Sequence, residues 1–320
     1  MSLKTLWLHL AAVFLSPPAL AERARKQQMR ALLKLHQGRP FVFDDGNLRL
    51  MYFNEKSVQS AMKLDAPDEL ECGYTLAMMA FLLALPAPAH ILMVGLGGGS
   101  LLKFCRRQLP ASRITVLEID ADVIALRQQF LIPPDDALLQ IIHCDATAYL
   151  AAHALQVDVL LLDGFDGGGM VAELSTARFY ADCHAALTPS GVLVCNMWGR
   201  RRRLVGLLAE LRQQFDASVH WCRSPDSYNL IVFAFRSAAA LFPPAQALPQ
   251  RLLDEVLLEN LTALGRRMRT LPLPSAGPPL DLPFDPLQRD LPALTLEIDL
   301  LMTTDARLPL TDTEWRAAHQ

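Results

Sequence analysis

The six cysteines of this chain form no CxxC pair, which removes the zinc-ribbon and dithiol-redox signatures. Cys72, Cys105, Cys144, Cys183, Cys195 and Cys222 sit mostly in apolar runs, where a thiol packs as a small hydrophobe. They read as reduced thiols of a cytoplasmic protein, and no metal site is expected from them. Strong charge of either sign is also missing. A net charge of -3 asks for neither a nucleic acid nor an acidic membrane surface as partner. The one dense basic run, Arg200 to Arg203, reads as the solvated start of a helix. With 52% hydrophobic residues and no long polar tract, extended disorder is not expected. The apolar run at residues 6–15 is too short to span a bilayer, and no internal repeat is present.

What is there is a change of pattern along the chain. Residues 41–43 and 48–53 flank the turn residues Asp44-Asp45-Gly46-Asn47 and predict a β-hairpin, with a further strand over 57–64. A helix is expected over 70–85, capped by Asp65 or Asp68 and ended by Pro86 and Pro88. From residue 90, strands alternate with helices: strands at 91–94, 114–117, 140–144, 157–162 and 192–196, helices at 100–109, 122–130, 175–187 and 204–215. Apolar strands without polar alternation mean burial on both faces, hence a parallel sheet covered by helices. Right-handed crossovers then make the sheet doubly wound. Strands at 218–222 and 230–235 are joined by a link too short for a parallel crossover, so the sheet ends in an antiparallel pair. That ending distinguishes methyltransferase-like sheets from dinucleotide Rossmann sheets. One more helix is expected at 252–268, and the proline-dense remainder is unassigned.

The chemistry gathers at strand ends. Gly95-Leu96-Gly97-Gly98-Gly99-Ser100 follows the first parallel strand, where glycines let backbone approach a nucleotide or nucleoside and a helix N-terminus offers free N–H groups. Glu118 closes the second strand, 23 residues after Gly95, placed to accept from ribose hydroxyls. Asp120 lies past that end and suits a helix cap. Asp145 follows the third strand, either as an acceptor for an adenine amino group or as a cap. The fourth strand ends in Asp163-Gly-Phe-Asp166, followed by Gly167 to Gly169. Ligands of open α/β sheets sit at this edge, and paired acids there suit an amine substrate, one anchoring ammonium and the other taking a proton. The glycine run would hinge a covering loop. Asp166 as a simple turn cap is the plainer alternative.

Together the glycine turn, the acid in Val116-Leu-Glu-Ile-Asp120, Asp145, the Asp163–Asp166 pair and the preceding hairpin with Tyr74 resemble the spermidine synthase family, over residues 40–236. The resemblance implies an S-adenosylmethionine-methyltransferase-type α/β fold, and an aminopropyltransferase that passes the aminopropyl group of decarboxylated S-adenosylmethionine to putrescine or a similar polyamine. It implies Gly95, Gly97, Gly98, Gly99, Glu118, Asp145 and Asp163 at the cofactor, Asp163 and Asp166 in catalysis, and Tyr74, Asp166 and Gln59 at the amine. A homodimer through the hairpin region follows from the same likeness, and no metal is expected because displacement at a sulfonium requires positioning and proton removal rather than a Lewis acid. The chain departs from the family in four places. Gly98 stands where an aspartate pairs with the aminopropyl ammonium, Gly167 replaces a proline, Thr75 replaces a Gln or His, and a later pocket tyrosine has no clear match beyond Trp221. The loss at Gly98 motivates one rival reading, a methyltransferase using intact S-adenosylmethionine, and the missing family residues together motivate another, an inactive adenosyl-binding module.

The expected organisation is an N-terminal extension at 1–38, a hairpin region at 39–66, a catalytic domain at 67–240 and a tail at 241–320. Within the extension, Lys4, the apolar run and Ala19-Leu20-Ala21 loosely match a secretory signal. An amphipathic extension or a start at Met29 are the competing readings, and a need for an intracellular cofactor favours them.

Overall fold

A computed structural model describes residues 17–54, 58–166, 169–198, 201–215, 219–237 and 255–270. Helix α1 spans Pro17–His36, so the Ala19-Leu20-Ala21 segment is helical, while residues 1–16 of the signal-like stretch lie outside the described residues. Met29, Leu32 and Leu33 recur at helical spacing on α1 and pack on Phe41, Phe43, Leu50 and Tyr52. Those aromatics belong to a three-stranded antiparallel sheet of β1 (Phe41–Asp45), β2 (Leu48–Tyr52) and β3 (Val58–Lys63).

The main sheet is built from β4 (His90–Val94), β5 (Arg113–Glu118), β6 (Leu139–His143), β7 (Val157–Leu162), β10 (Leu187–Met197), β11 (Val219–Arg223), β12 (Leu230–Phe235) and β13 (Arg269–Thr270). Its order is β13-β11-β12-β10-β7-β4-β5-β6. Strands β6 to β10 along that order are parallel, and β12 inserts antiparallel between β10 and β11. The mixed α/β sheet with an antiparallel ending is therefore the one expected. Alternation within the apolar strands serves two cores. Ile91, Met93, Val159 and Leu161 face one, and Leu92, Val94, Leu160 and Leu162 face the other.

The first core is closed by α2 (Gly73–Met78), the 3-10 turn Met79–Leu83, α3 (Ser100–Gln108) and α8 (Glu255–Arg267). The second is closed by α5 (Ala146–Ala152), α6 (Ala177–Ala186) and α7 (Arg201–Phe215). A short ribbon pairs β8 (Phe165–Asp166) with β9 (Gly169–Met170). All six cysteines are free thiols. No helix among the described residues is long and apolar enough to cross a membrane.

Several expected elements differ. The segment 70–85 is not one helix, and neither Asp65 nor Asp68 caps it. Regular helix begins at Gly73 behind Cys72, whose side chain makes no cap hydrogen bond, and tightens to a 3-10 turn at Met79. Asp65 instead accepts from the Asn47 amide at 2.6 Å. The helix expected over 122–130 is regular only from Ala121 to Ala125 (α4). Its following turns close with Leu131 at φ +54°, Ile132 N–H donating to Arg127 O at 2.9 Å and Leu131 N–H to Gln128 O at 3.2 Å. This is the Schellman arrangement that satisfies end carbonyls. Helix α5 had no sequence expectation. The tail segments 241–254 and 271–320 lie outside the described residues.

Lys103 completes that closure from α3. Its side chain is buried, and Nζ donates to Phe130 O at 2.8 Å, placing positive charge at the end of the turns. Burial pulls its pKa down to about 8, with Asp68 the charge opposing that fall. The unfolded chain therefore holds this proton to higher pH than the folded one. The resulting penalty is complete below about pH 8 and vanishes near the ordinary lysine value of 10.5. Stability of the wild type should climb across that window in thermal melts, and Lys103→Met should flatten the climb.

Candidate active site

The carboxyl ends of β4, β5, β6, β7 and β10, with the start of α2 and the rim of β2–β3, enclose a cavity of about 1800 Å³. That exceeds the roughly 300–1,000 Å³ of ordinary small-molecule sites. Among the described residues lining it are nine carboxylates and two cations, Arg25 and Lys63. Lys63 pairs with Glu69 at 3.2 Å and Glu71 at 3.3 Å, and Arg25 pairs with Asp45 at 2.8 Å. The remaining field is strongly negative and favours cationic ligands.

At the end of β4 the chain turns through Gly95 at φ +97°, and a Cβ there would run into the Asp163 carbonyl. Gly95 and Gly97 line the cavity, whereas Gly98 and Gly99 do not. A Cβ on Gly98 would lie 2.6 Å from Ser60 Oγ and 2.8 Å from the buried Phe130 ring, and one on Gly99 would lie 2.6 Å from Ile132. Those two glycines thus serve packing beneath the turn.

Glu118 ends β5 buried, with Oε2 accepting Leu96 N–H at 2.8 Å and Oε1 accepting Asp120 N–H at 2.9 Å. Burial raises its pKa, and backbone N–H groups of Asp120 and Leu96 oppose that rise. The carboxylate keeps acceptor capacity for an outside hydroxyl. Asp120 caps α4 through Asp122 N–H at 2.8 Å. Asp145 also lines the cavity and caps α5, its Oδ1 accepting from Thr147 N–H at 2.8 Å and Thr147 Oγ at 2.7 Å. The second oxygen is the one left for an outside donor.

Asp163, at the end of β7, is recessed among neighbours yet reachable from the cavity. Asn196 Nδ2 donates to its Oδ1 at 2.8 Å and Tyr74 Oη to its Oδ2 at 3.3 Å. Burial lifts its pKa, and these two bonds, Asn196 before Tyr74, pull it back. Burial also lifts the Tyr74 hydroxyl, so that group stays a donor. Gln59 lines the same cavity. Asp166 pairs with Gly169 through its backbone in β8–β9; its side chain, and Gly167 and Gly168, lie outside what is described.

Trp221 does not fill a pocket. It is 6% exposed in the second core, because alternation along β11 turns it inward. The cavity tyrosine of that region is Tyr228, on the turn between β11 and β12. Sequence reasoning missed this turn. Ser224-Pro-Asp-Ser227 reads as a link, yet Asp226, Ser227 and Asn229 all line the cavity with Asn196.

Fold and site together define an α/β enzyme whose glycine turn and recessed acid share one strongly acidic cavity. The chain belongs to the spermine/spermidine synthase family, whose domain model matches residues 71–235. It is similar to the polyamine aminopropyltransferase of Chromobacterium violaceum, 35% identical over 201 residues, 62% of this chain and 77% of the relative. A crystal structure of a probable spermidine synthase from Corynebacterium glutamicum aligns with TM-score 0.55 at 21% identity, covering 62% of this chain and 77% of that one. A spermidine synthase in complex with the transition-state analogue AdoDATO aligns with TM-score 0.50 at 18% identity, covering 70% and 85%. These structural likenesses show the fold.

Because the Gly98 position is closed by Ser60 and Phe130, an acid is not accommodated there. Gly98→Asp should lower stability by about 1–3 kcal/mol through overpacking, read as a drop in the denaturant midpoint. An unchanged midpoint would show that Ser60 and Phe130 give way.

Proposed function

We propose that this aminopropyltransferase of spermidine synthase type takes decarboxylated S-adenosylmethionine as donor and a primary amine such as putrescine as acceptor, with Asp163 as base. The observation that carries the reading is Asp163 itself, a recessed carboxylate hydrogen-bonded by Tyr74 and Asn196, in a cavity with nine acids and a glycine turn at its floor. Bound there, the sulfonium would supply a carbon open to displacement and a neutral thioether to leave.

The chain's own residues supply the rest. Gly95 and Gly97 present backbone without side chains to the adenosine, Glu118 offers lone pairs to the ribose hydroxyls, and Asp145 offers Oδ2 to the adenine amino group. Asp163 takes a proton from the incoming nitrogen, and a pKa raised by burial suits that task better than an ordinary carboxylate. Tyr74 fixes the carboxylate's second oxygen. Asp166 and Gln59 are assigned to the amine. Displacement of this kind asks for positioning rather than a Lewis acid.

Calorimetry with intact and decarboxylated S-adenosylmethionine should show tighter binding of the decarboxylated form, since a carboxylate enters unfavourably a cavity where nine acids outnumber two cations. Incubation with putrescine should yield product heavier by an aminopropyl group in mass spectrometry. Methyl gain instead would favour the methyltransferase that the missing acid at Gly98 suggests. Asp163→Asn should cut kcat by roughly 10²–10⁴-fold while adenosyl affinity stays within several-fold. Glu118→Gln, which turns an amide donor toward a backbone N–H, should weaken adenosyl binding about tenfold or more.

A further inference from the structure

The hydrogen bonds that reach Asp163 begin outside the parallel sheet, on the turn between β11 and β12. Ser227 Oγ donates to Asn229 Oδ1 at 2.9 Å, Asn229 Nδ2 donates to Asn196 Oδ1 at 2.7 Å, and Asn196 Nδ2 donates to Asp163 Oδ1 at 2.8 Å. Each asparagine accepts on one side and donates on the other, so the row has a single direction. Reversed, Asn196 would present a carbonyl to an ionised carboxylate. A charged Asp163 therefore fixes Asn196, Asn196 fixes Asn229, and the Asn229 carbonyl requires a donor that the Ser227 hydroxyl supplies.

The same turn also holds the other donor. Asp226 accepts from Ser224 Oγ at 2.7 Å and from Gly73 N–H at 2.6 Å, and Gly73 leads directly into Tyr74. A Cβ on Gly73 would lie 2.5–2.8 Å from the Asp226 carboxylate and would push that side chain off the start of α2. Ser224 N–H to Asn229 O at 3.0 Å closes the turn.

We infer that Ser227 and Asn229 are positioning residues which, through Asn196, keep Asp163 ionised and its carboxylate oriented for proton acceptance. The charge logic supports this. The groups facing Asp163 are Tyr74 and Cys72 at the start of α2, with Asp226 and Glu71 beyond them, and none is a cation. Among the described residues Asp163 makes no ion pair. An arginine or lysine at this point would hold the acid ionised but would repel an ammonium substrate. Aligned neutral donors stabilise the anion and leave the positive partner to come from solution. The role in turnover rests on the aminopropyl-transfer reading; the orientation of the row does not.

The test is a titration of the full-length protein carrying 13C-labelled aspartate, with Asp163 assigned from the Asp163→Asn spectrum. Asn229→Leu should raise the Asp163 midpoint by about half a pH unit and Ser227→Ala by less, since each link passes on a part of the effect. Ser227→Thr, which keeps the hydroxyl, should titrate like wild type. In kinetics with putrescine, the acidic limb of kcat should move upward by the same amounts, because the base works only when deprotonated. Affinity for methylthioadenosine should stay within twofold, which separates the effect from misfolding. Midpoints in Asn229→Leu and Ser227→Ala equal to wild type would overturn the inference, as would Ser227→Thr shifting as far as Ser227→Ala. Absence of aminopropyl transfer with the midpoints shifted would sink the catalytic reading alone.

Discussion

Gly95 and Asp163 end neighbouring parallel strands and meet backbone to backbone. Asp163 N–H donates to Val94 O at 3.0 Å, and Gly95 N–H donates to Leu117 O at 2.9 Å, so β7, β4 and β5 are stitched together one residue beyond their regular pairing. A side chain at Gly95 would force the Asp163 carbonyl away. This close approach sets the distance between the glycine turn and the recessed acid. Glu118 joins the same knot by accepting Leu96 N–H from the turn and Asp120 N–H from the start of the next helix. The glycine turn, Glu118 and Asp163 are thus all held by main-chain hydrogen bonds, and side-chain choice acts only on what projects from that frame.

This explains which parts were legible in sequence. Unalternating apolar strands, a glycine turn after the first of them, and acids at the ends of the second and fourth follow from local pattern plus the rule that ligands bind at strand carboxyl ends. The antiparallel ending was legible because residues 224–229 are too few for a crossover. The second half of the site was not, because it depends on strand order. Asn196 reaches Asp163, 33 residues away, only since β10 pairs with β7, and Asn229 reaches Asn196 only since β12 inserts beside β10. A turn with Ser, Pro and Asp carries no local mark of such a destination. The start of α2 failed for the same reason, its first N–H being taken by Asp226, 153 residues on.

The treatment of charge divides the cavity in two. Toward the hairpin region, acids are compensated by cations, Lys63 with Glu69 and Glu71, Arg25 with Asp45, Arg49 with Asp44. These pairs are partly exposed and add little stability, but they hold the rim. At Asp163 compensation is by neutral donors alone. Surplus negative charge is therefore concentrated where the strand ends converge, and a cation entering from solution gains most at that point.

Gly98 and Gly99 show that a glycine-rich turn is not uniform in purpose. Gly95 and Gly97 face the cavity, while the next two accommodate Ser60, Phe130 and Ile132 from behind. Phe130 is itself held by the Schellman closure and by Lys103 on its carbonyl. The route from Lys103 through Phe130 to Gly98 thus fixes the back of the turn, and no space remains there for an acid. Any selection against a carboxylate-bearing ligand must then come from the collective field of the cavity acids. Such selection weakens with salt, whereas a single paired aspartate in a dry pocket would resist it.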